Sequence, residues 1–293
     1  MTMPISYRSY AKVNLYLDIL ARRRDGYHNI ETIFQSVSLY DEISFVDRPN
    51  GISLDCSAPE LQSIDMNLAC RAARLLADRT GCTLGVHIQI KKNVPIAAGL
   101  AGGSGNAAAT LVGLNQLWSL HLSPAQLWDL ALELGSDVPY CLVGGAMGAT
   151  GRGEQLFPLS PLGRVWFVLI HPAMAVSSSR VYNSPNLVRN NAPRFAGKTA
   201  TFRKALRAFQ GGDWPKLVFN RMEEPVFADH SYLAEVKERL RGAGCLAAAM
   251  SGSGSTLFGV CATKRDAAKV AAALGDVPTS TVRPTAVAVE RAE

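Results

Sequence analysis

Residues 10–20, YAKVNLYLDIL, alternate without a break: Val13, Leu15, Leu17 and Ile19 fall on one side, Lys12, Asn14, Tyr16 and Asp18 on the other. That two-residue period predicts a half-buried strand with a polar face turned outward. Shorter apolar runs predict strands over 30–39, 43–46 and 52–55. NLACRAARLLADR, residues 67–79, has helical spacing and stops at Gly81, a residue suited to a left-handed cap. Leu84, Val86, Ile88 and Ile90 alternate again and deliver the chain into PIAAGLAGGSGNAAAT, residues 95–110. Past Gly105 the glycines thin out, and Ala107, Leu111, Leu114 and Trp118 recur at helical spacing. Strand, small-residue loop and helix therefore follow one another. A second helix is predicted over LSPAQLWDLALELG, with Ser123 as N-cap, Pro124 as first helical residue and Gly135 as the stop.

The second half predicts a strand over 165–170, several helices between 199 and 242, and two strands around CLAAAMSGSGSTLFGVC. A helix over 264–274 and a last strand over 279–290 follow. Strands and helices mix without a steady βα period, so the predicted class is α+β, not a doubly wound parallel sheet. VGGAMGATGRG, residues 143–153, turns the chain toward a different composition, and the expected division is 1–158 and 159–293.

A chain of 293 residues can bury about three-quarters of the surface it exposes when unfolded, enough for one large domain or two smaller ones. Nearly half the residues are apolar and 18% are charged, which excludes a disordered chain. Six cysteines lie far apart with no CxxC pair, and no secretory leader is evident, so a reduced cytoplasm is expected. The most apolar stretch, Val165–Val176, is broken by His171 and Pro172 and falls short of a membrane span.

The net charge of +6 is regional. Between Gln155 and Gly212 there is no Asp or Glu, but eight cations: Arg164, Arg180, Arg189, Arg194, Lys198, Arg203, Lys204 and Arg207. Such a field suits an anionic small molecule as well as a polyanion, and equally a solvated basic face. No aromatic RNA-binding pattern or zinc finger accompanies it, which argues against nucleic acid.

The small-residue loop has a direct use. Free N–H groups converging at a helix start, with the helix dipole behind them, bind phosphate. Ser104 adds the one hydroxyl at the entrance, suited to a phosphate oxygen or a magnesium ion. Tight helix packing explains glycines as well. The loop does not end in the Gly-Lys-Ser/Thr of a Walker loop, and Gly103, Gly105 and Ala108 lie too far beyond Lys91 for a dinucleotide fingerprint. A second glycine loop, AAAMSGSGSTLFGV at 247–260, suits a hairpin turn or a second set of phosphate donors. Lys12 and Asn14 share a polar strand face. Asp137, in GSDVP, suits either an N-cap at Val138-Pro139 or a catalytic carboxylate, and spacing alone assigns neither role.

Four stretches together decide more than each does alone: residues 11–43, PIAAGLAGGSGNAA, LGSDVPYCL and MSGSGSTLFGV. Their combination resembles the GHMP kinase superfamily and, within it, the branch that phosphorylates a cytidine diphosphate-linked branched alcohol. The resemblance implies a two-domain α+β architecture with ATP and substrate meeting in an interdomain cleft. It also implies transfer of the ATP γ-phosphate to a tertiary hydroxyl, magnesium accompanying the nucleotide. On the family pattern Asp137 takes the hydroxyl proton, and Lys12 stabilises that oxygen and the moving phosphoryl group. Asn67, Leu68, Lys92 and Pro95 fall where adenosine is held. Gly99, Leu100, Ala101, Gly102, Gly103, Ser104, Gly105 and Asn106 would wrap the phosphates. Asn14, Tyr27 and His28 match the cytidine side, with His28 hydrogen bonding the base and Tyr27 stacking on it opposite Tyr182. Ser178, Gly252, Ser253 and Gly254 complete the substrate set. Three positions depart from the family: Ala101 where Gly is usual, Gly105 where Ser is frequent, and Ser255 where Pro is common. The partners implied are two small molecules, with no nucleic acid or membrane, and the sequence leaves monomer and homodimer equally open.

Overall fold

The computed structural model of the protein describes residues 4–195 and 197–292. The first half contains β1 (Ile5–Arg22), β2 (His28–Arg48), β3 (Ile52–Cys56), α1 (Leu68–Thr80), β4 (Gly85–Lys91), α2 (Gly102–Leu117), α3 (Pro124–Leu134), α4 (Val138–Val143), β5 (Ala146–Thr150) and β6 (Gln155–Pro158). The chain continues through β7 (Trp166–Ile170), α5 (Ser178–Tyr182), β8 (Arg194–Phe195), β9 (Lys198–Thr199), α6 (Ala200–Gly211), α7 (Trp214–Leu217) and β10 (Phe219–Asn220). It ends with α8 (Glu223–Asp229), α9 (Ser231–Gly242), β11 (Ala247–Met250), β12 (Leu257–Cys261), α10 (Lys264–Ala273), β13 (Thr279–Val282) and β14 (Val289–Arg291).

Gly81 closes α1 at φ +68°, as the sequence predicts, while Asn67, counted inside the predicted helix, is its cap, with Oδ1 accepting the Ala69 N–H. Ser123 and Gln126 form a reciprocal capping box on α3, with Pro124 in its first turn. Described strands of one sheet run β10-β1-β2-β4-β3, with β14 also on β1 and β5 and β6 continuing from β2. The other large sheet, β11-β12-β7-β13, is antiparallel throughout.

Three strand expectations change. The strands predicted at 30–39 and 43–46 are one strand, β2. The polar Tyr-Asp-Glu between them is no turn, because Asp41 Oδ1 points inward and accepts the N–H groups of Asn93 and Val94, both at 2.8 Å. The strand predicted over 279–290 divides into β13 and β14, which join different sheets. Between them Pro284 makes a single bridge to Val37 of β2, where it needs no N–H because Ser38 donates to Arg283 O and Thr285 donates to Ser36 O, and the chain crosses here from one sheet to the other. The polar face of β1 does not meet solvent: Lys12, Asn14 and Asp18 are 4%, 2% and 1% exposed. On this strand Val13 and Leu15 share a buried cluster with Phe167 and Phe258 of the second half, while the polar residues look into a cavity or bond one another.

One edge of β1 determines where that cavity forms. Its beginning pairs with β14 through Tyr7–Ser9, and its later part pairs with β10 at Tyr16 and Leu17. Between these short partners the backbone donates elsewhere. Tyr10 N–H goes to Ala288 O at 2.8 Å, Lys12 N–H to Leu100 O at 3.1 Å, and Asn14 N–H to Ser251 Oγ at 3.3 Å. Both glycine-rich loops thus attach to the same interrupted sheet edge, satisfying donors that would otherwise be orphaned.

Candidate active site

The loop from Asn93 to Ala101 is held at both ends. Asp41 fixes its start, since the carboxylate also pairs with the Lys92 ammonium in a buried ion pair. Its middle approaches the second glycine loop so closely that a Cβ on Gly99, at φ +76°, would lie 2.0 Å from Ser251 O. Ser251 Oγ in turn donates to Gly99 O at 3.0 Å. The two loops are therefore zipped together, not set across a cleft from one another. The turn into α2 requires a left-handed residue, and Ala101 supplies it at φ +57°. Glycine is not obligatory there, although a Cβ adds strain.

The helix α2 starts at Gly102, earlier than the predicted start after Gly105. Gly102, Gly103 and Ser104 form its first turn, and the first intrahelical bond runs from Gly105 N–H to Ala101 O at 2.8 Å. Three N–H groups therefore precede the helical ladder at the positive end of the dipole. Gly105 faces away from the cavity: a Cβ there would lie 2.4 Å from Ser9 Oγ. This departure from the family pattern is thus matched by Ser9, and no phosphate-facing hydroxyl is lost at that position.

A cavity of about 910 Å³ opens in front of this turn. At its floor Lys12 Nζ donates to Asn14 Oδ1 at 2.7 Å and Gly99 O at 3.2 Å, and lies 3.7 Å from Asp137 Oδ2. The Phe34 ring lies beneath the ammonium at 5.5 Å. Asn14 is held from its other end, where Nδ2 donates to Thr32 Oγ1 at 2.9 Å. Asp137 occupies the N-cap position of α4, but its side chain makes no capping bond. Of its two sequence-level roles, the structural one is absent; the carboxylate faces the ammonium.

In the same cavity His28 and Tyr182 stack, with ring centroids 5.4 Å apart and planes inclined by 12°. Tyr27 is not opposite Tyr182: it is half exposed, with the Arg152 guanidinium 4.9 Å above its ring. Arg189 Nε donates to His28 Nε2 at 3.1 Å. Burial pushes the His28 pKa below its usual value, and the Arg189 and Arg22 charges push it in the same direction. Burial raises the Tyr182 phenol, and the Asp137 charge adds to that shift. Ser178 and Ser253 join hydroxyl to hydroxyl at 2.7 Å, linking α5 to the second glycine loop.

Most predicted residues line this one cavity, including Leu68, Lys92, Pro95, Leu100 and Gly252. Asn67, Gly105, Asn106 and Gly254 do not. Asn67 uses its amide to cap α1 and to bond Leu61 O. Asn106 is buried with Oδ1 unpartnered, and Gly254 packs on Met250. Sequence reasoning missed Phe34, Asp41 and Arg152; it took Arg189 only as one of eight cations and Ser251 only as part of the second glycine loop. Phe34 stands opposite Asn14 in the β1–β2 register, a pairing that appears only once the strands are aligned. A Gly-Lys-Thr tripeptide does occur at 197–199, but it belongs to no phosphate loop: Thr199 caps α6 and donates to Glu31.

The acid-free segment does not form one uniform basic face. Arg189 reaches His28, Arg180 lies 3.6 Å from Asp229, and Lys198 covers Phe157. All six cysteines are free, although Cys245 and Cys261 bring their sulfurs to 3.9 Å. Among the described residues no three His, Cys, Asp or Glu side chains gather as a metal cage, and no helix is long and apolar enough to cross a membrane.

An anion-binding helix start, a lysine–aspartate pair and an aromatic–histidine clamp in one cavity fit a phosphoryl-transfer site. Residues 67–145 match the GHMP kinases N terminal domain, and residues 193–278 match the GHMP kinases C terminal domain. The chain belongs to the GHMP kinase family. It is 43% identical over 264 residues to 4-diphosphocytidyl-2-C-methyl-D-erythritol kinase of Synechococcus sp. (strain JA-3-3Ab), covering 88% of this chain and 85% of that protein. The protein of the same name from Moorella thermoacetica is 40% identical over 285 residues, 96% of this chain and 97% of that one. Among solved structures, a 4-(cytidine 5'-diphospho)-2C-methyl-D-erythritol kinase superposes with a TM-score of 0.78 at 34% identity, covering 94% of this chain and 98% of the other. A homoserine kinase from Cytophaga hutchinsonii, at 16% identity and a TM-score of 0.76, shares the fold. The α+β GHMP kinase architecture expected from the sequence is thus the observed one.

Proposed function

We propose that this GHMP kinase transfers the γ-phosphoryl group of ATP to the 2-hydroxyl of 4-diphosphocytidyl-2-C-methyl-D-erythritol, giving the 2-phosphate and ADP in non-mevalonate isoprenoid precursor synthesis. The observation that carries this assignment is the convergence of Lys12 and Asp137, 125 positions apart in sequence, at 3.7 Å in a cavity also lined by the first turn of α2 and the His28–Tyr182 pair.

The N–H groups of Gly102, Gly103 and Ser104 hold the nucleotide phosphates, with Leu68 and Lys92 toward the adenosine. His28, Tyr27 and Tyr182 hold the cytosine, and Gly252, Ser253 and Ser178 face the substrate diphosphate. A tertiary alcohol is crowded and weakly acidic, so orientation and positive charge matter more than a strong base. Asp137 accepts the hydroxyl proton as the oxygen attacks. Lys12, fixed by Asn14 and Gly99, stabilises negative charge on that oxygen and on the phosphoryl oxygens. Magnesium, when bound, neutralises phosphate charge. The Ser104 hydroxyl lines the cavity and offers one hard oxygen ligand, which fits an ion carried mainly by the nucleotide.

In the same proposal residues 1–158 form the nucleotide-binding half and residues 159–293 the other, and the enzyme works in the cytoplasm on small molecules. Incubation with ATP, magnesium and the cytidylyl diphosphate alcohol, followed by phosphorus NMR, tests the assignment. A new phosphomonoester signal and ADP are expected. Phosphorylation of homoserine or mevalonate, and not of the cytidylyl compound, overturns it.

A further inference from the structure

We propose that Arg189, which lines no part of the cavity itself, makes the base pocket selective for cytosine over uracil by fixing the tautomer of His28. Given the cytidine-binding function proposed above, on which this inference rests, the steps are short. A guanidinium can only donate, so the bond from Arg189 Nε obliges His28 Nε2 to present its lone pair. A neutral ring with a lone pair at Nε2 carries its proton at Nδ1. The ring cannot swing to exchange the two nitrogens freely: it is 4% exposed, and Tyr182 lies parallel to it. His28 therefore has one remaining polar group, an Nδ1–H donor.

The two pyrimidines differ in what they offer such a donor. Cytosine N3 is an acceptor, whereas uracil N3 carries a hydrogen and would meet Nδ1–H donor to donor. Without Arg189 the ring is free to place its proton on Nε2, and Nδ1 then accepts from uracil as readily as the first tautomer donates to cytosine. A buried polar group left facing its own kind rejects a ligand strongly, so the tautomer decides the base. The charged groups bearing on the His28 ring are Arg189 and Arg22, and both favour the neutral form. Arg189 is thus a positioning residue, and the acid-free segment containing it acquires a defined task.

The test compares the unaltered protein with Arg189→Ala and Arg189→Lys, using the cytidylyl substrate and its uridylyl analogue. The ratio of kcat/KM for the two substrates is expected to fall roughly 10- to 100-fold in Arg189→Ala, through KM for the pyrimidine substrate and not for ATP. Lysine also donates without accepting, so Arg189→Lys is expected to recover most of the ratio. Nitrogen NMR of the histidine rings, with His28 assigned by its loss in His28→Gln, is expected to show protonated Nδ1 in the unaltered protein and a mixture in Arg189→Ala. Turnover of the cytidylyl substrate with an unchanged ratio in Arg189→Ala overturns this inference alone, as does a ring protonated at Nε2 in the unaltered protein. Failure of the unaltered protein to use the cytidylyl substrate overturns the proposed function, and this inference with it.

Discussion

Replacing Asp137 by Asn separates catalysis from stability. The substitution keeps shape and hydrogen-bonding reach while removing the charge and the proton-accepting capacity. The structure assigns this side chain little part in holding the fold. It makes no cap to α4, its side chain is 37% exposed, and its ion pair with Lys12 is 3.7 Å long. Although the Lys12 side chain is only 5% exposed, a pair this long and open to solvent at the aspartate contributes at most about 1 kcal/mol. Lys12 retains its bonds to Asn14 and Gly99, so the ammonium is not abandoned. Loss of a positioned general base, by contrast, costs about 100- to 10,000-fold in rate, equivalent to about 3–5 kcal/mol of barrier. Turnover followed by ADP release, nucleotide affinity followed by titration, and urea unfolding together form the assay. Expected are a fall in kcat of at least about 100-fold, unchanged ATP affinity, and a stability change within about 1 kcal/mol. A near-normal kcat removes Asp137 from its role, and a rate loss matched by weakened ATP binding shows that the carboxylate only shapes the cavity.

Three further outcomes are expected. Asp41→Asn leaves the Lys92 ammonium, 6% exposed, without its buried counter-charge; urea unfolding should show a loss of about 3–5 kcal/mol, and a loss under about 1 kcal/mol would mean that the pair is solvated. Gly99→Ala forces a Cβ toward Ser251 O at a left-handed φ, adding at least about 1–2 kcal/mol of strain and displacing the carbonyl that steadies Lys12; kcat should fall with stability, and a variant matching the parent in both would disprove the close approach. Burial holds the His171 pKa down to about 4, below its usual 6.5, so the unfolded chain binds the proton first and the folded state loses stability as pH falls from about 6.5 toward 4. Urea midpoints should record about 2 kcal/mol less stability at pH 5 than at pH 7.5 from this residue, and the slope should flatten in His171→Asn; an equally steep variant would assign the loss to other groups.

Helix boundaries were legible because their signals are local. Gly81, Ser123, Pro124 and Gly135 act within a turn of themselves, and each stands where the sequence suggested, whereas Asn67, counted inside the helix, caps it. Strand limits were less legible because burial, not propensity, decides them. Asp41 reads as a break in β2 until Lys92 and the Asn93 and Val94 amides, 51 to 53 positions later, turn it into a fastener. The polar face of β1 reads as a solvated one until the loops that attach to its edge cover it. Lys12 and Asp137 were named through resemblance, since no periodicity joins positions 12 and 137. Arg189 was visible only as one cation among eight, because its role comes from a bond to a residue 161 positions away.

The interrupted edge of β1 also sets an order of events in the life of the molecule. The lysine at the centre of the cavity sits on a ribbon completed by Phe219–Asn220 on one stretch and by Val289–Arg291 on another. Ser251, which braces the nucleotide loop, is likewise a late arrival in synthesis. A nascent polypeptide emerging from the ribosome therefore holds Lys12 long before the segments that complete its strand, Phe219–Asn220 and Val289–Arg291, have been made. Cutting the chain between β13 and β14 after assembly should free the strand partner that Tyr7, Arg8 and Ser9 hold.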